Sequence, residues 1–154
     1  MHVRHAKQSD IAQASFLWYE RIALLQQTDS YFTALPSATQ VWGEAANNWL
    51  NNDKFGFFVA ESDLSVVGYM VVTIIDGPVG LRPEKLGKLI DMALDLHQTH
   101  GGLGRELLKH VNLWLEQRNV HVLTVDAPLR YPVEEAFWRS QGAKARFNEY
   151  WMTI

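Results

Sequence analysis

The stretch His97-Gln98-Thr99-His100-Gly101-Gly102-Leu103-Gly104-Arg105-Glu106-Leu107-Leu108 constrains the fold more than any other part of the chain. An extended, apolar run precedes it and an amphipathic run follows, so the backbone must turn from strand to helix within a few glycine-rich residues. Gly101, Gly102 and Gly104 clear side chains from that turn and permit positive φ. The unpaired N–H groups and positive dipole end of the following helix then make the turn a cradle for an anion such as a phosphate. Leu103, Leu107, Leu108, Val111 and Leu115 form one apolar face, which predicts a helix of about four turns stopping at Asn119.

The remaining elements follow from periodicity and punctuation. Val3–Ala6 reads as a strand, and Ser9 or Asp10 caps a helix through Gln26. Ser37 opens a second helix that runs to about Asn51. Phe55–Ala60 and Val66–Ile75 are β-branched and aromatic runs that predict a hairpin, with Gly68 marking a bulge. Asp76-Gly77-Pro78 breaks the second of them, and Leu86–Leu96 resumes extended structure with carboxylates at Asp91 and Asp95. After the glycine turn and its helix, Val120–Val125 reads as a strand, Pro132–Gln141 as a helix and Ala145–Ile154 as a last strand. The order is β-α-α-β-β-β-α-β-α-β, expected as one α/β domain over residues 1–154.

Composition removes several function classes. The chain has no cysteine, which excludes disulfides, thiolate metal sites and a cysteine nucleophile. A net charge of −3, with Lys and Arg scattered along the sequence, argues against nucleic acid as a partner. No segment has the length of a membrane span and the first residues lack the apolar run of a signal peptide, so no membrane is expected and a cytoplasmic location is the default. His97 with His100, and His2 with His5, lack the third and fourth ligands that a metal needs, so no metal is expected.

The element order, with the glycine turn between the fourth strand and the third helix, resembles the GNAT superfamily of N-acetyltransferases along essentially the whole chain. The family pattern at the turn is Arg or Gln, two residues, Gly, one residue, then Gly or Ala. Gly102-Leu103-Gly104 match its last three positions, while Thr99 stands where Arg or Gln is usual. Downstream, Phe137-Trp138-Arg139-Ser140-Gln141-Gly142-Ala143 has the spacing of the family's aromatic-aromatic and Gly-Phe helix end. Trp138 replaces a Tyr that protonates the leaving thiolate in many relatives, Tyr131 replaces an Asn, and Ala143 replaces the last aromatic.

The resemblance implies a mixed central sheet of about six to seven strands flanked by four helices, and acetyl-CoA as co-substrate in a gap between the fourth and fifth strands. It implies that the backbone of Met92, Ala93 and Leu94 pairs with the pantetheine amides. Thr99, His100, Gly101, Gly102, Leu103, Gly104 and Arg105 would hold the pyrophosphate, with Phe137 and Trp138 against the coenzyme arm. It also implies transfer of acetyl to a primary amine, of a small molecule or a peptide, by direct attack in a ternary complex.

Such an amine is mostly protonated at neutral pH and must lose its proton. Asp91 occupies a position where relatives place an acidic residue, and it shares a strand face with Asp95. It is the leading candidate to hold the ammonium or relay its proton, against a structural pairing with Lys88 or Arg130. With Trp138 unable to act as an acid, Tyr131 is the candidate general acid, and His97 or His100 is a candidate relay. Trp18, Tyr19, Tyr31, Phe32, Trp42 and Trp49 lie where the family forms its acceptor side, as pocket lining, with Trp18 and Trp49 alternatively core.

Two other readings compete with this one. A non-catalytic acyl-CoA-binding module is favoured by Trp138 and Tyr131. A dinucleotide fold is disfavoured because Gly102-Leu103-Gly104 lacks the third glycine of that fingerprint. The aromatic end Tyr150-Trp151-Met152-Thr153-Ile154 suits strand pairing across a homodimer.

Overall fold

The computed structural model describes residues 1–98 and 101–154. Five strands follow one another across a single sheet in chain order: β1 (His2–His5), β2 (Phe55–Ser62), β3 (Ser65–Asp76), β4 (Lys85–Leu94) and β5 (Leu123–Thr124). β1 to β4 are antiparallel, and β5 joins β4 in parallel. Among the described residues, four α-helices cover the sheet: α1 (Ile11–Thr28), α2 (Ala38–Leu50), α3 (Leu103–Glu116) and α4 (Pro132–Ser140).

Each face of the sheet has its own core. Phe58, Met70, Val72, Leu89 and Met92 face α3, whose Leu103, Leu107, Val111, Trp114 and Leu115 are buried against them. Phe57, Val59, Tyr69, Val71 and Ala93 face α1 and α2, where Ala14, Leu17, Trp42 and Ala46 cover them. The entry to α1 is pinned by Arg4, which donates to Asp10 at 2.7 and 3.0 Å and to Glu61 of β2 at 2.6 and 3.0 Å.

Two bulges break strict alternation. In β3, Ala60 pairs with Gly68 but Glu61 pairs with Val66, so the extra residue lies beside the glycine marked in the sequence. Gly68 also gives α3 room, since a Cβ there would stand 2.9 Å from Leu94 and 3.2 Å from Leu103. The bulge in β4 has no glycine: Asp91 pairs with Val71, Leu89 with Val72, and Ile90 is the extra residue.

The sheet is smaller than the six to seven strands expected. Residues 145–154 form no strand, and Phe147, Tyr150, Met152 and Ile154 are exposed. A sixth strand needs an edge to pair with, and β5 has only two ladder residues, Leu123 and Thr124, instead of the run Val120–Val125. The C-terminal segment instead lays Trp151 against Tyr31 and Phe32 in the α1–α2 loop, with ring centroids 5.8 and 6.0 Å apart. The Thr153 hydroxyl lies 3.0 Å from that of Tyr31. The extended run through Leu96 also ends earlier, at Leu94, and Leu96–Gln98 form a short 3-10 turn. No helix is long and apolar enough to cross a membrane among the described residues.

Candidate active site

The β4 bulge decides which way Asp91 faces. Leu89 and Met92 belong to the α3 side and Ile90 and Ala93 to the α1/α2 side. With Ile90 as the extra residue, Asp91 shares the α1/α2 side instead of falling with Leu89. There its Oδ2 accepts the Trp42 indole N–H at 2.6 Å, while Oδ1 accepts the backbone N–H of Met92 at 2.9 Å. Trp42 is held by aromatic neighbours on three sides: Trp18 at 6.1 Å, Trp49 at 5.9 Å and Tyr69 at 5.5 Å between centroids. A donor fixed this way orients the carboxylate.

Burial pushes the Asp91 carboxyl up to about 6, against the opposing pull of the Trp42 N–H, the Arg21 charge, the Tyr69 hydroxyl and the Met92 N–H. Tyr69 is fully buried, and desolvation together with the neighbouring Asp91 charge drives its ionisation well above the ordinary range. Its hydroxyl lies near enough to Asp91 to feel that charge, but makes no hydrogen bond of good geometry. Asp91 forms no ion pair with Lys88 or Arg130 among the described residues.

The cation facing Asp91 is Arg21 of α1. Its Nε and Nη2 donate to Glu134 of α4 at 2.5 and 3.0 Å, a bidentate pair between residues 113 apart in sequence. Both side chains are largely buried, at 18% and 9% exposed. Tyr131, at the N-terminus of α4, lies in the same cluster. Burial and the Glu134 charge raise its phenol, and Arg21 opposes them. The structure thus gathers Asp91 and Tyr131 around a residue that the sequence reading did not single out.

The other wall is the opening between β4 and β5. β5 pairs only with Gly87 and Lys88, so from Leu89 to Leu94 the β4 edge on that side has no strand partner among the described residues. At its far end α3 begins. Gly102, the residue before its first turn, has φ 74°, a conformation that L side chains rarely adopt. Gly101 and Gly104 have no positive φ, and Gly104 serves another purpose: a Cβ there would stand 2.9 Å from the Phe137 ring and 3.3 Å from Leu94. Its hydrogen seats α4 against the start of α3. Arg105 is exposed, and Thr99 and His100 lie outside the described residues.

Trp138, 5% exposed, sits in the α3-side core with Leu89 and Met92, and its indole N–H has no hydrogen-bond partner among the described residues. A buried orphan donor is costly unless something else accepts from it. An open strand edge, helix N-terminal N–H groups and an orphan donor together fit an extended, phosphate-bearing ligand with amide and carbonyl groups.

Asp95 and His97 stand apart from the Asp91 cluster. They line a groove of about 410 Å³ along the outer side of α1 with Gln13, Phe16 and Glu20. The Asp95 side chain accepts the His97 backbone N–H at 2.9 Å. No group of three metal-ligating side chains occurs among the described residues.

The model of the acetyltransferase (GNAT) family matches residues 19–142, more than half of the 154-residue chain. The chain belongs to the GNAT family. Among solved structures, a tetramutant of the BH1408 protein from Bacillus halodurans superposes with a TM-score of 0.87 at 16% identity, covering 100% of both chains. The aminoglycoside antibiotic 6'-N-acetyltransferase AAC(6')-IG from Acinetobacter haemolyticus gives 0.80 at 14% identity, covering 100% of this chain and 98% of that one. A predicted acetyltransferase from Clostridium acetobutylicum, solved with acetyl-CoA, gives 0.72 at 17% identity, covering 99% and 94%. At these identities the likeness is one of fold. Among curated proteins nothing matches.

In GNAT proteins the donor is acetyl-CoA, and the open β4 edge and the α3 start are the features of this chain that fit it. Arg21 and Glu134 were missed as site residues, yet both left a signal, whereas Trp42 was expected on the acceptor side but not as the donor to Asp91. Arg21 sits on the buried stripe Ala14, Leu17, Leu25 of α1, and Glu134 sits four residues before the buried Trp138 on α4. A charge on a buried helical face must meet a partner.

Proposed function

We propose that this GNAT protein transfers acetyl from acetyl-CoA to a primary amine by direct attack in a ternary complex. One observation carries the reading: the bulge in β4 turns the Asp91 carboxylate toward α1 and α2 beside the open strand edge. An amine held there lies next to the place where Met92, Ala93 and Leu94 offer backbone groups to the coenzyme arm. Acetyl-CoA supplies the thioester carbonyl that the amine attacks.

The chain's own residues bind, orient and move protons. Asp91 anchors the incoming ammonium. With its carboxyl at about 6 it is ionised at neutral pH but more basic than an exposed aspartate, which suits passing the ammonium proton on to solvent. For an amine of pKa about 10, deprotonation at pH 7.5 costs about 3 kcal/mol, a modest part of an enzymatic barrier. Tyr131 keeps its phenol protonated and is the group suited to protonate the departing thiolate. The N–H groups at Gly101, Gly102, Leu103, Gly104 and Arg105, with Thr99 and His100 before them, take the pyrophosphate, and Phe137 and Trp138 flank the arm.

Thiol release from acetyl-CoA with a panel of amines tests the reading, with calorimetry for coenzyme binding. Asp91→Asn is expected to lower kcat/KM for the amine by about 100-fold, within the range typical of acid–base groups, while coenzyme affinity stays within about twofold. The wild-type kcat/KM is expected to rise as pH passes upward through about 6, as Asp91 loses its proton, and this limb should vanish in the variant. Tight acetyl-CoA binding without turnover of any amine would instead support a non-catalytic acyl-CoA module.

A further inference from the structure

The charge inventory around Asp91 restricts the acceptor. Asp91 faces Arg21 from α1, the Trp42 N–H from α2, the Tyr69 hydroxyl from β3, and Glu134 and Tyr131 from α4 across Arg21. At neutral pH these groups carry one positive charge, on Arg21, and two negative charges, on Asp91 and Glu134. The cluster lacks one cation, which a single ammonium would supply. Arg21 is the cation there that an acceptor carboxylate would seek, but its charge is already balanced by Glu134, which takes two of its five N–H donors at 2.5 and 3.0 Å.

We propose that the Arg21–Glu134 pair is a specificity device that admits amines with no carboxylate beside the reacting nitrogen and rejects free α-amino acids. The inference rests on the amine-acetyltransferase reading above. An α-amino acid placed with its ammonium on Asp91 would bring its own carboxylate into the field of Asp91 and Glu134, with the Arg21 charge already balanced by Glu134, and like-charge juxtaposition of this kind discriminates strongly. Stability alone gives no reason for the pair, because two well-packed apolar side chains at buried positions serve as well or better. What apolar residues could not do is hold a guanidinium within the field of Asp91 with its charge balanced by Glu134.

Matched pairs in which only the carboxylate differs make the test: tyramine with tyrosine, phenethylamine with phenylalanine, histamine with histidine. The decarboxylated amine is the stronger base in each, so easier deprotonation cannot produce the expected preference. Wild-type kcat/KM is expected to favour the decarboxylated member by about 100-fold. Glu134→Gln keeps the shape but releases half of the guanidinium fork, and it should raise kcat/KM toward the amino acids enough to shrink that ratio by about tenfold or more.

Arg21→Met added to Glu134→Gln should abolish the gain. A gain of activity cannot come from misfolding. Equal use of both members by the wild type, or an unchanged ratio in Glu134→Gln, overturns the proposal and leaves the acetyltransferase reading standing. Turnover of no amine in the panel overturns that reading, and this one with it.

Discussion

Trp42 shows how a single core residue sets the chemistry of another. It is 5% exposed, packed among Trp18, Trp49 and Tyr69, and its N–H ends on the Asp91 carboxylate. Removing that donor while keeping an aromatic ring leaves Asp91 with less support for its charged form, so its pKa rises further above 6. Trp42→Phe is therefore expected to move the acid limb of kcat/KM upward by about one pH unit and to cost about 1–3 kcal/mol of stability through the lost volume. A pH–rate series and chemical denaturation read the two effects separately. Trp138 poses the converse case, a donor with no acceptor. In 15N NMR its indole resonance, assigned by its loss in Trp138→Phe, is expected to move downfield when acetyl-CoA binds. A resonance that stays fixed while others shift would mean that the coenzyme does not accept from it.

At the scale of elements, two glycines in one turn do different work and should fail differently. Gly102 needs its φ of 74°, with open space where a Cβ would go, so Gly102→Ala carries strain of about 1 kcal/mol without a clash. Gly104→Ala would push a methyl into the Phe137 ring at 2.9 Å and part α4 from the start of α3. The second variant is expected to lose coenzyme affinity more than the first, by about tenfold, because it displaces the wall that carries Trp138. Calorimetric titration with CoA compares them. Helix α3 was readable from Leu103, Leu107, Leu108, Val111 and Leu115, because one repeating face is a local property, although it ends at Glu116 and not at the expected Asn119.

The β4 bulge was not readable. Leu89-Ile90-Asp91-Met92-Ala93 looks like an unbroken strand, and only pairing with β3 reveals that Ile90 is the extra residue. Residues 145–154 mislead in the opposite sense, since they alternate like a strand but find no edge. Arg21 and Glu134 became meaningful only when tertiary structure joined them across 113 residues.

Taken whole, the molecule has one sheet with a firm half and an open seam. β1 to β4 form an unbroken antiparallel set, whereas β5 holds β4 through Gly87 and Lys88 alone. If the coenzyme arm lies along the open edge, it takes the place of a strand there. Hydrogen–deuterium exchange is then expected to slow at Met92–Leu94 and at the first turn of α3 when acetyl-CoA is added, with little change in β1 and β2. Slowing spread evenly over the sheet would instead indicate general tightening.

The chain-order succession of strands also bears on assembly during synthesis. Each of β2, β3 and β4 pairs with the strand made just before it, and α3, ending at Glu116, covers much of the second face. The α1/α2-side core can close before β5 and α4 leave the ribosome, since domains condense from the N-terminal side as the chain lengthens, whereas the α3-side core is completed by Val120 and by Trp138 of α4. The amine-facing residues Trp42, Tyr69 and Asp91 would then be in place first. Glu134 would arrive last, capturing an Arg21 that has been waiting on α1.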